Sequence, residues 1–256
     1  MMRLSRQGRQ ARLSRVSGAI GGGGGGGGLA GAIEALSPPA YWKLDDAATE
    51  FASSGTTSVT AGGLVGSPTF QGQAGPDGGS YVVMSSGNYI LIPTHTEVEA
   101  TTSKTVCFAY RATSDLATAY FLFKGARYTR EYTVAAVSGY SVALFRSASQ
   151  TIYRNRSSAV AGTENQWNFV VATINRDAQP EIWANSTTKL TGSSQAAAGT
   201  APTARPEGLM VGAFQGLATT YFLAGAMAHL AVFEGVLSDA QIEGLITAAV
   251  DEGWTV

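Results

Sequence analysis

From residue 40 onward the apolar residues of this chain come in short runs, mostly with a period of two. Clusters of Gly, Pro, Asn, Asp and Ser interrupt them roughly every eight to fifteen positions. A half-buried strand shows one face to a core and the other to solvent, so this rhythm predicts many short strands in a sandwich or barrel. Strands are predicted at 40–43, 81–84, 89–92, 104–112, 119–124, 132–136, 141–145, 151–154, 167–175, 180–184, 208–213 and 225–233. In the 167–175 strand, Trp167, Phe169 and Val171 alternate with Asn168, Val170 and Ala172, giving one heavy and one light face. The Asn, Asp and Pro cluster that follows turns the chain into the strand carrying Ile182. Trp42 and Trp167 are expected to anchor the core, because inward aromatic rings supply much of a sandwich's burial. The period becomes helical only at the carboxyl end. There Ser238 and Gln241 form a capping box, and Ile242, Leu245, Ile246 and Ala249 share one face that should lie on a sheet.

The segment before residue 40 has a different character. Ser37-Pro38-Pro39 is a double breaker that ends any short helix running from Leu29. Residues 1–36 therefore read as an extended arm and tether, and 37–256 as one domain, a size that sandwiches commonly reach at roughly 200 to 250 residues. Arg3, Arg6, Arg9, Arg12 and Arg15 punctuate the arm, and no acid precedes Glu34. The chain holds 17 Lys and Arg and 18 Asp and Glu; without those five arginines the body has 12 against 18, about −6. A three-residue spacing winds arginines slowly around an α-helix or stacks them along one edge of a 3₁₀ or polyproline segment. Alone the arm is expected to be disordered and to order on an acidic partner, with nucleic acid open as one such partner. A solvated tail and an Arg- and Ser-rich transit peptide fit the same residues. The glycine octet at 21–28 is not a phosphate loop, since it lacks the Lys-Ser/Thr pair and a preceding strand. As a tether it allows a root-mean-square reach of about 15 Å, and in a symmetric assembly it could instead pack closely.

Composition narrows the class. Charged residues make up 14% of the chain, against about 25% in a typical protein, which suits a subunit of an assembly or a Ser- and Thr-rich extracellular domain. The single cysteine, Cys107, excludes a disulfide framework and a cysteine zinc site within one chain; its apolar neighbours mark it as a buried small hydrophobe. No run approaches the ~18 apolar residues that span a bilayer. Glycine rather than a hydrophobic stretch follows the arginines, so no signal peptide is expected, and the protein is made in the cytoplasm and used there or released by lysis.

Four pieces then resemble one family, in its order. Ala40-Tyr-Trp-Lys-Leu-Asp-Asp46 looks like the first-strand signature of laminin G-like jelly rolls, and Ser85-Ser-Gly-Asn-Tyr-Ile-Leu-Ile-Pro93 is similar to a hairpin of that family. Residues 167–185 resemble its tryptophan strand, tight turn and "YVNG"-like strand. Leu209-Met-Val-Gly-Ala213, with 222–242, resembles its closing strands and "LS-x-x-x-I" helix. The match runs over about 41–250 and points to the concanavalin A-like lectin/glucanase jelly rolls, as found in virion proteins of tailed bacteriophages. The resemblance implies an all-β fold of two antiparallel sheets with a short C-terminal helix. It also implies a module that binds glycans, proteins or calcium at a rim or concave face. Two departures bear on calcium: Ala228-His229 stands where many members have an acid, and Trp183-Ala-Asn185-Ser lacks the family's glycine. No cofactor is expected; calcium stays open, needing about six to eight oxygens where Asp45, Asp46 and Asp177 are the available donors.

Catalysis finds little support in the sequence. The Glu-x-Asp-x-x-Glu type of string used by retaining glycosidases of this fold is absent, and the nearest acid pairs are Glu97 with Glu99 in a polar loop and Asp239 with Glu243 on a solvated helix face. His95 and His229 lack metal-ligand or triad spacing, and His229, in step with the last strand, is expected to be exposed. The leading expectation is a non-enzymatic particle-surface protein: Arg3, Arg6, Arg9, Arg12 and Arg15 anchor it to other virion structural proteins, and the sandwich touches host-surface glycans within a homo-oligomeric assembly. Exposed aromatic and amide groups would meet sugar, with Tyr128, Tyr132, Tyr140, Trp183 and Asn185 as candidates. A structural lattice protein without glycan binding and a glycan-cleaving hydrolase are the alternatives.

Overall fold

The computed structural model describes residues 27–46, 51, 53–57, 59, 63–113, 119–126, 129–137, 140–146, 152–157, 162–175, 178–190, 192–195, 206–214 and 221–255. In chain order the elements are α1 (Leu29–Ala35), β1 (Ala40–Trp42), β2 (Gly63–Val65), β3 (Thr69–Ala74), β4 (Ser80–Met84), β5 (Tyr89–Ile92), β6 (Lys104–Ala112), β7 (Tyr120–Ala126), β8 (Thr129–Val137), β9 (Tyr140–Arg146), β10 (Ile152–Ser157), β11 (Asn168–Ile174), β12 (Glu181–Ala184), β13 (Gly192–Gln195), β14 (Leu209–Val211), β15 (Gly225–Glu234) and α2 (Asp239–Glu252). All strand pairs are antiparallel. One sheet has seven strands in the order β12-β11-β6-β15-β4-β3, with β1 also paired to β15; the other has eight, β13-β10-β9-β8-β7-β14-β5-β2. This is the two-sheet sandwich that the alternating pattern predicts. Each predicted strand coincides with an observed one to within a few residues, while β2, β3 and β13 were not predicted.

Strand alternation explains the layers. On β6, Val106, Phe108, Tyr110 and Ala112 enter the inter-sheet core, whereas Cys107 and Ala109 face the other way, under the helices. Both faces of this central strand are covered, so its sequence is nearly continuous in apolar residues. On the eight-stranded sheet, Ile90, Ile92, Leu122, Val134, Leu209 and Val211 point inward to the same core. Trp42 is fully buried there, and Trp167 is buried on the helix side, so both anchor cores as expected.

The helix side of the seven-stranded sheet holds a second core. Ser238 Oγ accepts from the Gln241 N–H, and the Gln241 amide oxygen accepts from the Ser238 N–H at 2.9 Å, so the predicted capping box forms. At the other end Gly253 is left-handed (φ 89°), and the Trp254 N–H bonds back to the Ala249 carbonyl at 2.8 Å, a Schellman closure. That closure carries Trp254 down onto the sheet, beside Tyr81 and Trp167. Helix α1 lies in the segment that the sequence assigns to the tether. Its Leu29 and Ile33 are nevertheless fully buried in this second core, and the Leu29 N–H donates to Glu252 Oε2 at 2.8 Å.

Candidate functional site

The outward-facing residues of the eight-stranded sheet alternate with the core set: Tyr89 and Leu91 on β5, Met210 on β14, Tyr120 and Phe123 on β7, Ala135 on β8. Cross-strand pairing puts them in rows. One row runs Gly63, Leu91, Met210, Phe123, Thr133, Leu144, Arg154, Gln195 across all eight strands. The next holds Tyr120, Ala135, Val142, Arg156 and Ser193. After β14 the chain turns back on itself: Phe214 N–H bonds the Tyr221 carbonyl at 3.0 Å, and Ala213 bridges Phe222. This turn lays Phe214 on Tyr120 and Phe123, with ring centroids 4.8 and 4.6 Å away, and sets Tyr221 edge-on to Tyr120 at 5.8 Å. Phe123, Phe214 and Met210 are buried, while Tyr89 and Tyr221 remain partly open. The result is an aromatic cluster with a dry centre in which Tyr120 too is buried, and Tyr89 and Tyr221 are its partly exposed rings, each with an edge and a hydroxyl open to a partner.

A second cluster lies on the opposite side of the molecule. The register of β15 against β6 shifts between Ala228 and Ala231, and His229 occupies the extra position with φ 53°. A bulge re-aims a side chain. Here it turns the imidazole under α2, where it is fully buried between Tyr41, Tyr81 and Trp254. The expected exposure of His229 is therefore corrected: both faces of β15 are covered, and the bulge decides only that the ring lies under α2 rather than in the inter-sheet core beside Met227. Tyr81 O–H donates to Asp77 Oδ2 at 2.5 Å, so its oxygen accepts from His229 Nε2–H at 3.2 Å; Nδ1 then accepts from Tyr41 O–H at 2.7 Å. Burial pushes both phenols far above their ordinary pKa. Burial also opposes the charge on Asp77, but hydrogen bonds from His229, Tyr81 and the Gly79 N–H outweigh it and hold the carboxyl well below the usual carboxylate range. With every member engaged and the imidazole enclosed, this chain of donors fastens the turn before β4 to β15. It is a structural lock.

A third polar group is buried within the eight-stranded sheet. Lys124 and Glu131 are both fully buried, 3.4 Å apart; Lys124 Nζ donates to the Glu207 carbonyl at 2.5 Å, and Glu131 Oε2 accepts the Ala100 N–H at 2.9 Å. The pair ties the loops around residues 100 and 207 to β7 and β8.

A laminin G-type family model, described as the concanavalin A-like lectin/glucanases superfamily, matches residues 84–243. The chain belongs to this family. Among solved structures, this concanavalin A-like chain is similar to domain 4 of AbnA, a GH43 extracellular arabinanase from Geobacillus stearothermophilus, in complex with arabinotriose. The identity is 14% and the TM-score 0.62, covering 82% of this chain and 98% of that one. It is also similar to the botulinum neurotoxin serotype D ligand binding domain in complex with N-acetylneuraminic acid, at 14% identity and TM-score 0.62, covering 86% of this chain and 53% of that one. The serotype D receptor binding domain gives 13% and 0.59, covering 84% and 53%. The chain spans about half the length of the toxin chains it matches. At these identities the likeness establishes the fold. A search of the curated proteins found no match.

Within this family fold the residues singled out by sequence scatter. Tyr132 points into the inter-sheet core, fully buried, and Trp183 is 5% exposed in the helix-side core, with Lys189 Nζ 5.6 Å above its ring. Their expected exposure is corrected: each takes the inward parity of its strand. Asn185 is left-handed (φ 53°); its Oδ1 accepts the Phe169 N–H and its Nδ2 donates to Asn168 Oδ1, both at 2.8 Å. Asn tolerates that conformation, which is how the turn does without the family's glycine. Tyr140 opens β9, paired with Val137 of β8. Tyr128, Asp177 and the five arm arginines lie outside the described residues. Asp45 is paired with Lys43 at 2.9 Å, Asp46 is partly buried, and among the described residues no three His, Cys, Asp or Glu side chains gather as metal ligands. Cys107 is fully buried, and burial pushes its thiol pKa far up. The cluster residues Tyr89, Tyr120, Phe214 and Tyr221 were not singled out. The alternation of Tyr89-Ile90-Leu91-Ile92 was their one available signal.

Proposed function

We propose that this chain is a non-enzymatic carbohydrate-binding sandwich, carried on a virion or other particle surface by its basic N-terminal arm, with the outer face of the eight-stranded sheet as the sugar-binding face. The observation that carries the reading is the pair of partly exposed rings, Tyr89 and Tyr221, at the edge of the outer-face aromatic cluster, on a fold whose solved relatives include domains determined with arabinotriose and with N-acetylneuraminic acid. A non-catalytic role is supported by the partners that hold four of the described acids. Glu131 serves Lys124 and a backbone N–H, Glu234 holds Lys104 and Thr102, Glu181 holds Lys189, and Glu252 holds the Leu29 and Trp254 N–H groups. The particle placement rests on the regular arginines of the arm and the glycine octet.

The test is a saccharide array probed with the full chain and with Tyr89→Ala and Tyr221→Ala variants. Binding to a defined saccharide set that the two variants lose supports the reading. Failure to bind any saccharide sinks it and leaves the sandwich as a structural subunit of a lattice, whereas release of shorter products from the array sugars would make it a hydrolase.

A further inference from the structure

Helix α1 does not stand on its own residues. It has seven of them, Gly31 among them, with no side-chain cap at Gly28 and no acid in its first turn. Helices shorter than about 12 residues are marginal in water, and an internal glycine weakens them further. What starts α1 comes from the far end of the chain. Glu252 Oε2 accepts the Leu29 N–H at 2.8 Å and the Trp254 indole N–H at 2.9 Å. Glu252 ends α2 beside Asp251, with no basic residue in that turn. Two acids at a helix C-terminus oppose its dipole, a local conflict within α2 that makes sense only through α1.

The other end of α1 is a strained joint. Ser37 takes the left-handed position after the helix (φ 50°), the position that α2 gives to Gly253 (φ 89°). A side chain there carries a steric penalty that glycine avoids. Immediately beyond it the chain is fixed to the body: the Pro38 and Pro39 carbonyls accept the Thr56 and Thr57 N–H groups at 2.9 and 3.0 Å. Between the Glu252 clasp and this joint only Leu29 and Ile33 are fully buried, and Glu34 and Ala35 are exposed. A short helix with few buried side chains, a cap supplied by another element and a strained hinge belongs to the low-stability end of a fold, where segments open as units.

We propose that α1 is a releasable strap, which swings out about Ser37 when the Glu252 clasp opens while α2 and both sheets stay folded. The strap sets where the N-terminal arm leaves the domain. Docked, Gly28 lies so close to Glu252 that a side chain on it would collide with the carboxylate, and the arm departs from the end of α2. Released, the point of departure moves to Pro38. Residues 21–37 as a free chain reach about 23 Å, against about 15 Å for the glycine octet alone. The domain thus has two tether lengths, and one carboxylate chooses between them. This inference is independent of whether the sandwich binds sugar.

The experiment is hydrogen–deuterium exchange on the full chain, wild type beside Glu252→Ala and Ser37→Gly. In the wild type the amides of 29–37 are expected to exchange together, at least about tenfold faster than those of 242–249 in α2. Glu252→Ala should speed the 29–37 amides by about tenfold or more, the effect of one hydrogen bond to a charged group, and leave β6 and β15 unchanged. Ser37→Gly should slow them. Loss of the Cβ penalty favours the docked state by roughly five- to thirtyfold, and the freedom of glycine in the open state offsets part of that. A terminus that merely frays would not be slowed by a glycine at its hinge. Protection of 29–37 equal to that of α2 overturns the strap, as does unchanged or faster exchange in Ser37→Gly. Exchange raised evenly over the whole chain in Glu252→Ala also overturns it, because the clasp would then belong to the global fold. If Glu252→Ala does not fold, the wild type and Ser37→Gly decide between these outcomes.

Discussion

Lys124 and Glu131 show how much of this molecule's specificity rests on single residues. Two charges withdrawn from water gain little net stability as a pair, but either one left alone in the interior is costly. Lys124→Met is expected to destabilise the protein by about 3–5 kcal/mol, and Lys124→Met/Glu131→Leu to recover most of that loss, as read from urea unfolding midpoints. A single variant as stable as the wild type would show that water reaches the site. Asp77 gives a pH signature. Its carboxyl titrates lower in the folded chain than the unfolded value near 4. The stability it contributes is therefore complete above about pH 4 and is lost as pH falls through the folded value. The melting temperature of the wild type should fall more steeply below pH 4 than that of Asp77→Asn; parallel curves would mean that the His229 and Tyr81 hydrogen bonds do not act on this carboxyl. None of this was legible in the residues beforehand. His229 interrupts an apolar run, and the run itself shows neither that both faces of β15 are covered nor the bulge that turns the ring under Trp254.

At the scale of elements, local signals worked where they were self-contained. The α2 helix carries its own start in Ser238 and Gln241, its own stop in Gly253 and its own buried stripe, and all were readable. Gly253→Ala places a Cβ in a left-handed residue, a cost of about 1–2 kcal/mol. Faster amide exchange is expected in the last turn of α2 and at Trp254, measured by hydrogen–deuterium exchange, with the eight-stranded sheet unaffected. Exchange raised evenly over the whole protein would contradict a local role for that cap. Strands β3 and β13 were missed for the converse reason. Thr69–Ala74 and Gly192–Gln195 are edge strands of polar, glycine-containing sequence, paired to one neighbour each, and the partner strand imposes the extension that their own residues do not specify. The aromatic cluster was hidden in another way. Its members were placed on strands correctly, but β7 is apolar on both faces, so its residues do not say which ring looks outward.

For the whole molecule, what matters is where the tether joins. Leu29 begins α1 beneath Glu252, on the helix-covered face of the seven-stranded sheet, whereas the aromatic cluster occupies the outer face of the other sheet. The two are separated by both sheets and the core between them, with the sheets about 10 Å apart. A domain held, as proposed, through the residues preceding α1 would turn the outer face of the eight-stranded sheet away from the point of attachment, the orientation that the proposed carbohydrate-binding role needs. By the same geometry we propose that the folded unit begins ahead of Ser37, at α1. Leu29 and Ile33 pack with Tyr41, Trp254 and Phe233 in the helix-side core, and full burial of two such side chains is worth about 1.5–3 kcal/mol each before the cost of ordering α1. A chain cut to 29–256 is expected to melt at the temperature of the full chain. One cut to 37–256 should melt lower, by about 2–4 °C for each kcal/mol lost, and should quench Trp254 fluorescence differently as the α1 side of that ring opens to water. Equal melting temperatures for the two truncations would mean that the buried apolar contacts of α1 only balance the entropy lost in forming it, and that the sandwich is complete without it.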